Sequence, residues 1–243
     1  MNLIAFQTDK MMQKIQDVQR LCRRHPEAER LQIVHQYIVE HVHYEARESL
    51  PVHEASGFFE YGIAVCDGIS KAAKILLRSV GIKSEIVYGR AAQTPGKAFE
   101  PHAWNLVWTG GRAYHVDFTF DATLSEDDGL IHYDYYNLTD RQIGTDHTFP
   151  GQDTGLAATA PGDWFRQHST YFTEKKKLRQ YIRSEIGKKS KSVVIRLPQT
   201  SDPEAVLEDT KAVIREELGR VTLLPRTWQY TVNKAQMVVC IWL

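Results

Sequence analysis

Along the 243-residue chain the apolar positions follow two periods. Spacings of three and four predict helices over 9–24 and 27–43, parted by Pro26, and over 67–80. In the last of these Val65, Ile69, Ala72, Ala73, Leu76, Leu77 and Val80 share one face, and Gly81 supplies a stop. The helix before it carries Leu31, Val34, His35, Ile38 and Val42 on one stripe, suited to packing beside it. Alternation predicts strands over 84–89, 102–108, 112–118 and 133–138, with Gly110 and Gly111 turning the middle two into a hairpin. Residues 49–60 read as a loop, and 93–100, with Pro95 and Gly96, as a connection that leads into His102 and can border a groove. A short helical segment at 139–146, a small-residue surface loop or boundary at 154–163 and a helix over 171–186 follow. The remainder has the order β-α-β-β: a strand at 192–197, a helix over 203–218 ending at Gly219, and a hairpin of 221–232 and 235–243 turned at Asn233 and Lys234. Two domains are therefore expected, 1–186 and a small α+β appendage, 187–243, with no internal repeat.

The pattern places reactive side chains at element boundaries. Cys66 falls at or just before the first turn of the helix over 67–80, where unpaired backbone N–H groups and the helix dipole favour a thiolate. In the hairpin, a turn centred on the two glycines sets Thr109 opposite Arg112, Trp104 opposite Asp117 and His102 opposite Thr119. His102 and Asp117 are then diagonal neighbours on one face, and a one-residue slip would separate them. A carboxylate beside an imidazole fixes its tautomer and stabilises the imidazolium formed when a thiol proton is taken. His115 shares that face and is an alternative partner for Cys66, while Asp67 reads as a helix cap. Cys22 and Cys240 lie in apolar patterns and read as core.

The stretches AVCDGISKAAKILLRSVGI, HAWNLVWTGGRAYHVDFTFD and YDYYNLTDRQIGTDH, in that order, resemble the core of the transglutaminase-like superfamily over about residues 31–147. The resemblance implies an α+β, papain-like fold, a catalytic helix packed on an antiparallel sheet, with 1–186 as the catalytic domain. It implies Cys66 as nucleophile, His102 as general base and then acid, and Asp117 as the group that orients the ring. Oxyanion stabilisation needs a second donor besides the backbone N–H at the nucleophile, and Tyr61, upstream of Cys66, is the choice because its hydroxyl can donate where an ionised Glu60 cannot. The implied substrate is an amide or peptide bond in a protein or peptide, cleaved by water or passed to an amine. The rival is a non-catalytic peptide- or protein-binding module on the same scaffold; a glycan-directed amidase is a third reading without a sequence mark.

Composition narrows the picture. With 42% hydrophobic and 25% charged residues and a formal net charge of zero, the chain reads as a soluble globular protein without the basic surface that nucleic acid demands. His25, His35, His41, His43 and His53 lack HExxH or paired-cysteine spacing, and Asp127 and Asp128 lack the alternation of a calcium loop, so no metal or cofactor is expected. No membrane span and no secretory signal is read, and three cysteines without CxxC spacing suit a reducing, cytoplasmic setting.

Overall fold

The computed structural model describes residues 3–92, 98–151, 158, 162–221 and 228–243. Residues 93–97, most of the 154–163 loop and the start of the strand expected at 221–232 lie outside them. The chain divides into two compact units, Met1–Gly162 and Asp163–Leu243. No described helix is long and apolar enough to cross a membrane.

The first unit opens with α1 (Leu3–Cys22) and α2 (Glu27–His41), then β1 (His43–Tyr44), a five-residue π-turn (Gly57–Tyr61) and β2 (Ile63–Ala64). There follow α3 (Cys66–Ser79), β3 (Lys83–Ala91), β4 (Glu100–Thr109), β5 (Arg112–Val116), α4 (Phe118–Asp128), α5 (Asp140–Ile143) and β6 (His147–Thr148). β5, β4, β3 and β6 lie side by side in an antiparallel sheet, and β1 pairs with β2 in parallel. The apolar stripe of α3 is buried throughout, with Ile69, Ala72, Ala73, Leu76 and Leu77 inaccessible to solvent, and the helix packs on β3 and β4. The stripe of α2, Leu31, Val34, His35, Ile38 and the following Val42, is buried as well.

The hairpin has the expected register, Thr109 opposite Arg112, but β5 ends two residues early. Asp117 leaves the strand to cap α4, its Oδ1 accepting from the N–H groups of Thr119 (2.9 Å) and Phe120 (3.2 Å). The β4–β5 pairing stops at Asn105 opposite Val116, so His102 has no ladder partner in β5; on its other side it pairs with Gly89 of β3. The alternating Tyr133–Leu138 segment is a turn, joined to β5 by a single bridge from Leu138 to His115. Asp128, read as part of an acidic turn, ends α4.

The second unit contains α6 (Trp164–Gln167), α7 (Lys175–Gly187), β7 (Ser192–Arg196), α8 (Pro203–Val221), β8 (Gln229–Asn233) and β9 (Val238–Trp242), with the antiparallel order β7-β9-β8. Leu178 and Ile182 of α7 share a core with Val193, Ile195, Val239 and Ile241. That packing groups α7 with the unit Asp163–Leu243, whereas the apolar pattern alone set the expected division at 186/187.

Candidate active site

Three local devices set the thiol. Val65 is extended and its N–H bonds to Val52 O (3.0 Å), so α3 starts abruptly and Cys66 is its first residue. Gly68 lets the 52–54 loop close over that first turn, since a Cβ there would lie 2.2 Å from Val52 O. One turn along, Ser70 Oγ donates to Ala103 O (3.0 Å) and Asn105 Nδ2 donates to Ser70 O (3.1 Å). Both bonds are buried and grip β4 on the residues after His102. Cys66, part-exposed, is thereby held at the mouth of the helix beside the strand that carries His102.

His102 donates from Nε2 to Asp117 Oδ2 at 2.7 Å, with its side chain only 8% exposed. The ring lies between Trp104 (centroids 6.0 Å, stacked) and Phe120 (4.8 Å). With Nε2 committed to the carboxylate, Nδ1 is the ring nitrogen left for another partner. Burial by itself would lower the pKa of His102, but the charge and hydrogen bond of Asp117, joined by a hydrogen bond and charge from Cys66, lift it to about 10. Asp117 is fully buried, which alone would raise its pKa; His102 and His147 instead hold it well below the usual carboxylate range. Its place at the N-terminus of α4 favours the anion further.

The network continues past Asp117. His147, inaccessible to solvent, meets Asp117 Oδ2 with Nε2 (3.1 Å) and Asp146 Oδ1 with Nδ1 (2.6 Å), and Tyr135 donates its hydroxyl to Asp146 Oδ2 (2.7 Å). Burial opposes charge on His147, yet the two carboxylates raise its pKa above the ordinary imidazole value. His115 faces the same aromatic cluster but is spent elsewhere: Nδ1 accepts from the Trp104 indole (2.9 Å) and Nε2 donates to Asp140 Oδ1 (2.9 Å). Burial lowers its pKa, so the ring is neutral.

Tyr61, the tyrosine chosen from sequence as a donor, closes the π-turn and is 48% exposed. Tyr44 is in register with Ala64, two residues before Cys66. Burial, then the charges of Cys66, Asp117, Glu100 and Asp67, raise the pKa of Tyr44, which therefore keeps its O–H. Sequence reasoning missed Tyr44 and His147 because each sits in a strand of two residues, too short for any alternation to show.

Among the described residues, His102, Asp117 and His147 have donor atoms within 4.8 Å of one another, close enough to suggest a cation. Both imidazoles, however, spend Nε2–H on the same oxygen of Asp117, and a metal would have to displace both protons. Hydrogen bonding already accounts for the convergence of the three.

Residues 17–118 match the family model described as the transglutaminase-like superfamily. Similar solved structures include a TGase, 19% identical with a TM-score of 0.40 over 48% of this chain and 32% of that one. Another is a candidate cysteine protease from Cytophaga hutchinsonii, 20% identical with a TM-score of 0.32 over 37% of this chain and 30% of that one. The chain thus spans under a third of either structure's length. No curated protein matches significantly.

Proposed function

We propose, from the match of residues 17–118 to the transglutaminase-like superfamily and from the side chains gathered around Asp117, that the protein is a thiol-dependent acyl-transfer enzyme acting on amide or peptide bonds. The observation that carries this reading is the buried His102–Asp117 contact of 2.7 Å on β4, the strand against which α3, the helix opened by Cys66, is packed.

In this reading Asp117 holds Nε2–H of His102 and the proton given up by Cys66 already sits on Nδ1, so the imidazolium stands against a carboxylate in place before substrate arrives. The sulfur attacks the amide carbon, and the carbonyl electron pair moves to oxygen. As the first residue of α3, Cys66 has an N–H with no acceptor inside the helix, and this N–H is one oxyanion donor. Tyr44, in place of Tyr61, is assigned as the side-chain donor, because its hydroxyl stays protonated and is electrostatically coupled to Cys66. The C–N bond breaks as His102 returns its proton to the leaving amine, and a thioester remains. Water, deprotonated by His102, completes a peptidase cycle; an amine completes a transglutaminase cycle.

Mass spectrometry of the intact protein after exposure to a mixed peptide pool tests the reading. An acyl adduct on Cys66, absent from Cys66→Ala, is expected, and its mass names the donor. Peptides retained without any adduct at Cys66 would instead favour a binding module built on the same scaffold.

A further inference from the structure

We propose that His147 is a positioning residue for the thiol chemistry: held as an imidazolium between Asp117 and Asp146, it fixes the carboxylate on which His102 leans and takes a share of its charge. The inference rests on the acyl-transfer reading above and extends the machinery by a buried residue that contacts neither thiol nor substrate.

The geometry decides the protonation state. A neutral imidazole has one N–H, and its other nitrogen is a lone pair. Both nitrogens of His147 face carboxylate oxygens, at 3.1 Å and 2.6 Å, and a lone pair cannot be set against either anion. The remaining oxygens are already satisfied: Asp117 Oδ1 by two backbone N–H groups, Asp146 Oδ2 by the Tyr135 hydroxyl. Two buried carboxylates so close together need a cation between them, and a doubly protonated His147 is that cation. Trp104 (4.8 Å) and Phe120 (5.0 Å) enclose the ring and keep water out. The other titratable neighbour, His115, is neutral, with Nδ1 accepting from Trp104. Charge therefore alternates along His102, Asp117, His147 and Asp146.

The consequence for catalysis lies at Asp117 Oδ2, which accepts from both imidazoliums. An undivided Asp117 charge would bind the His102 proton more tightly, and a general acid must release that proton to the leaving amine. His147 moderates the hold. Its ring centroid is 5.5 Å from that of His102, near enough for direct repulsion between the two cations.

Nitrogen NMR on the ¹⁵N-histidine-labelled protein tests this without a substrate. In the unaltered chain both ring nitrogens of His147 are expected to carry protons at pH 7; a bare nitrogen on His147 at that pH would overturn the proposal. In His147→Gln, whose amide can still donate to Asp117 but carries no charge, the His102 titration should move up by about one pH unit. A purely structural role would lower stability and leave that titration where it was, which contradicts the proposal. If His147→Gln does not fold, the first measurement decides alone. Failure of the acyl-transfer reading has a different signature, the missing adduct on Cys66, and leaves the charge of His147 readable.

Discussion

Asp117 performs two tasks with its two oxygens: Oδ1 caps α4 and Oδ2 holds His102 and His147. Asp117→Asn should keep the side-chain volume and lose the charge. His102 is then expected to fall from about 10 towards an ordinary imidazole value, and alkylation of Cys66 at pH 7 to slow by about 10-fold or more. Stability should drop by about 1–3 kcal/mol, read by chemical denaturation, because a buried cap and two charge-assisted bonds are weakened together. Tyr44→Phe should lower kcat by about 10²-fold with little change in KM, the mark of a donor used at the oxyanion, while Tyr61→Phe should leave both unchanged. His115→Ala should lower the melting temperature yet leave Cys66 alkylation within about two-fold of the native rate, since His115 bonds Trp104 and Asp140. At this scale His102 and Asp117 could be read as neighbours because the Gly110–Gly111 turn fixes the hairpin register. Tyr44 and His147 could not, since what places them is long-range pairing and not local sequence.

Among the elements, α3 and β4 matter most to the site, and they are joined by Ser70–Ala103 and Asn105–Ser70. Removing the second bond with Asn105→Ala should cost about 1–3 kcal/mol and slow Cys66 alkylation, because the helix mouth loses its reference to His102. Denaturation and alkylation measured on the same sample check both effects; a destabilised protein with an unchanged alkylation rate would show that the bond serves the fold alone. α3 was legible because an uninterrupted apolar stripe is bounded by small residues at one end and Gly81 at the other. α4 was not: Phe118-Thr119-Phe120-Asp121 alternates like a strand, and only the capping of Thr119 and Phe120 by Asp117 turns it into a helix. Tyr133–Leu138 misleads in the same way. Tyr133, Asp134, Tyr135, Tyr136, Asn137 and Leu138 are all buried, so the alternation in polarity reflects hydrogen-bonded polar groups and not an exposed face.

For the whole molecule, buried titratable groups set how stability varies with pH. Burial opposes protonation of His132, but Asp134 and Asp128 on its two nitrogens raise it to about 9. With His102 at about 10, both rings have folded pKa values above the unfolded 6.5; their contributions are fully present below pH 6.5 and lost as pH rises through 9 and 10. Asp117 has the opposite sign, contributing above its unfolded value of 3.8 and failing as pH drops below it. Burial also keeps His35 neutral, with a pKa of about 3, so acid below pH 6.5 favours the unfolded chain. The melting temperature should therefore peak near pH 6–7 and fall on both sides, and His132→Gln should flatten the alkaline limb; scanning melting temperature from pH 4 to 10 checks both. Two-part organisation was legible from the change in pattern near residue 187, but the division itself was not, because an amphipathic stripe on α7 reveals that the helix packs without naming its partner.

The central claim, that Cys66, His102 and Asp117 act as one reactive unit, is tested most directly by the rate of Cys66 alkylation by iodoacetamide as a function of pH, in the native chain and in His102→Ala. Labelling that is rapid at pH 7, confined to Cys66 and slowed about 10²-fold by the substitution is the result expected. Labelling at the rate of an ordinary free thiol, indifferent to the loss of His102, would contradict the account.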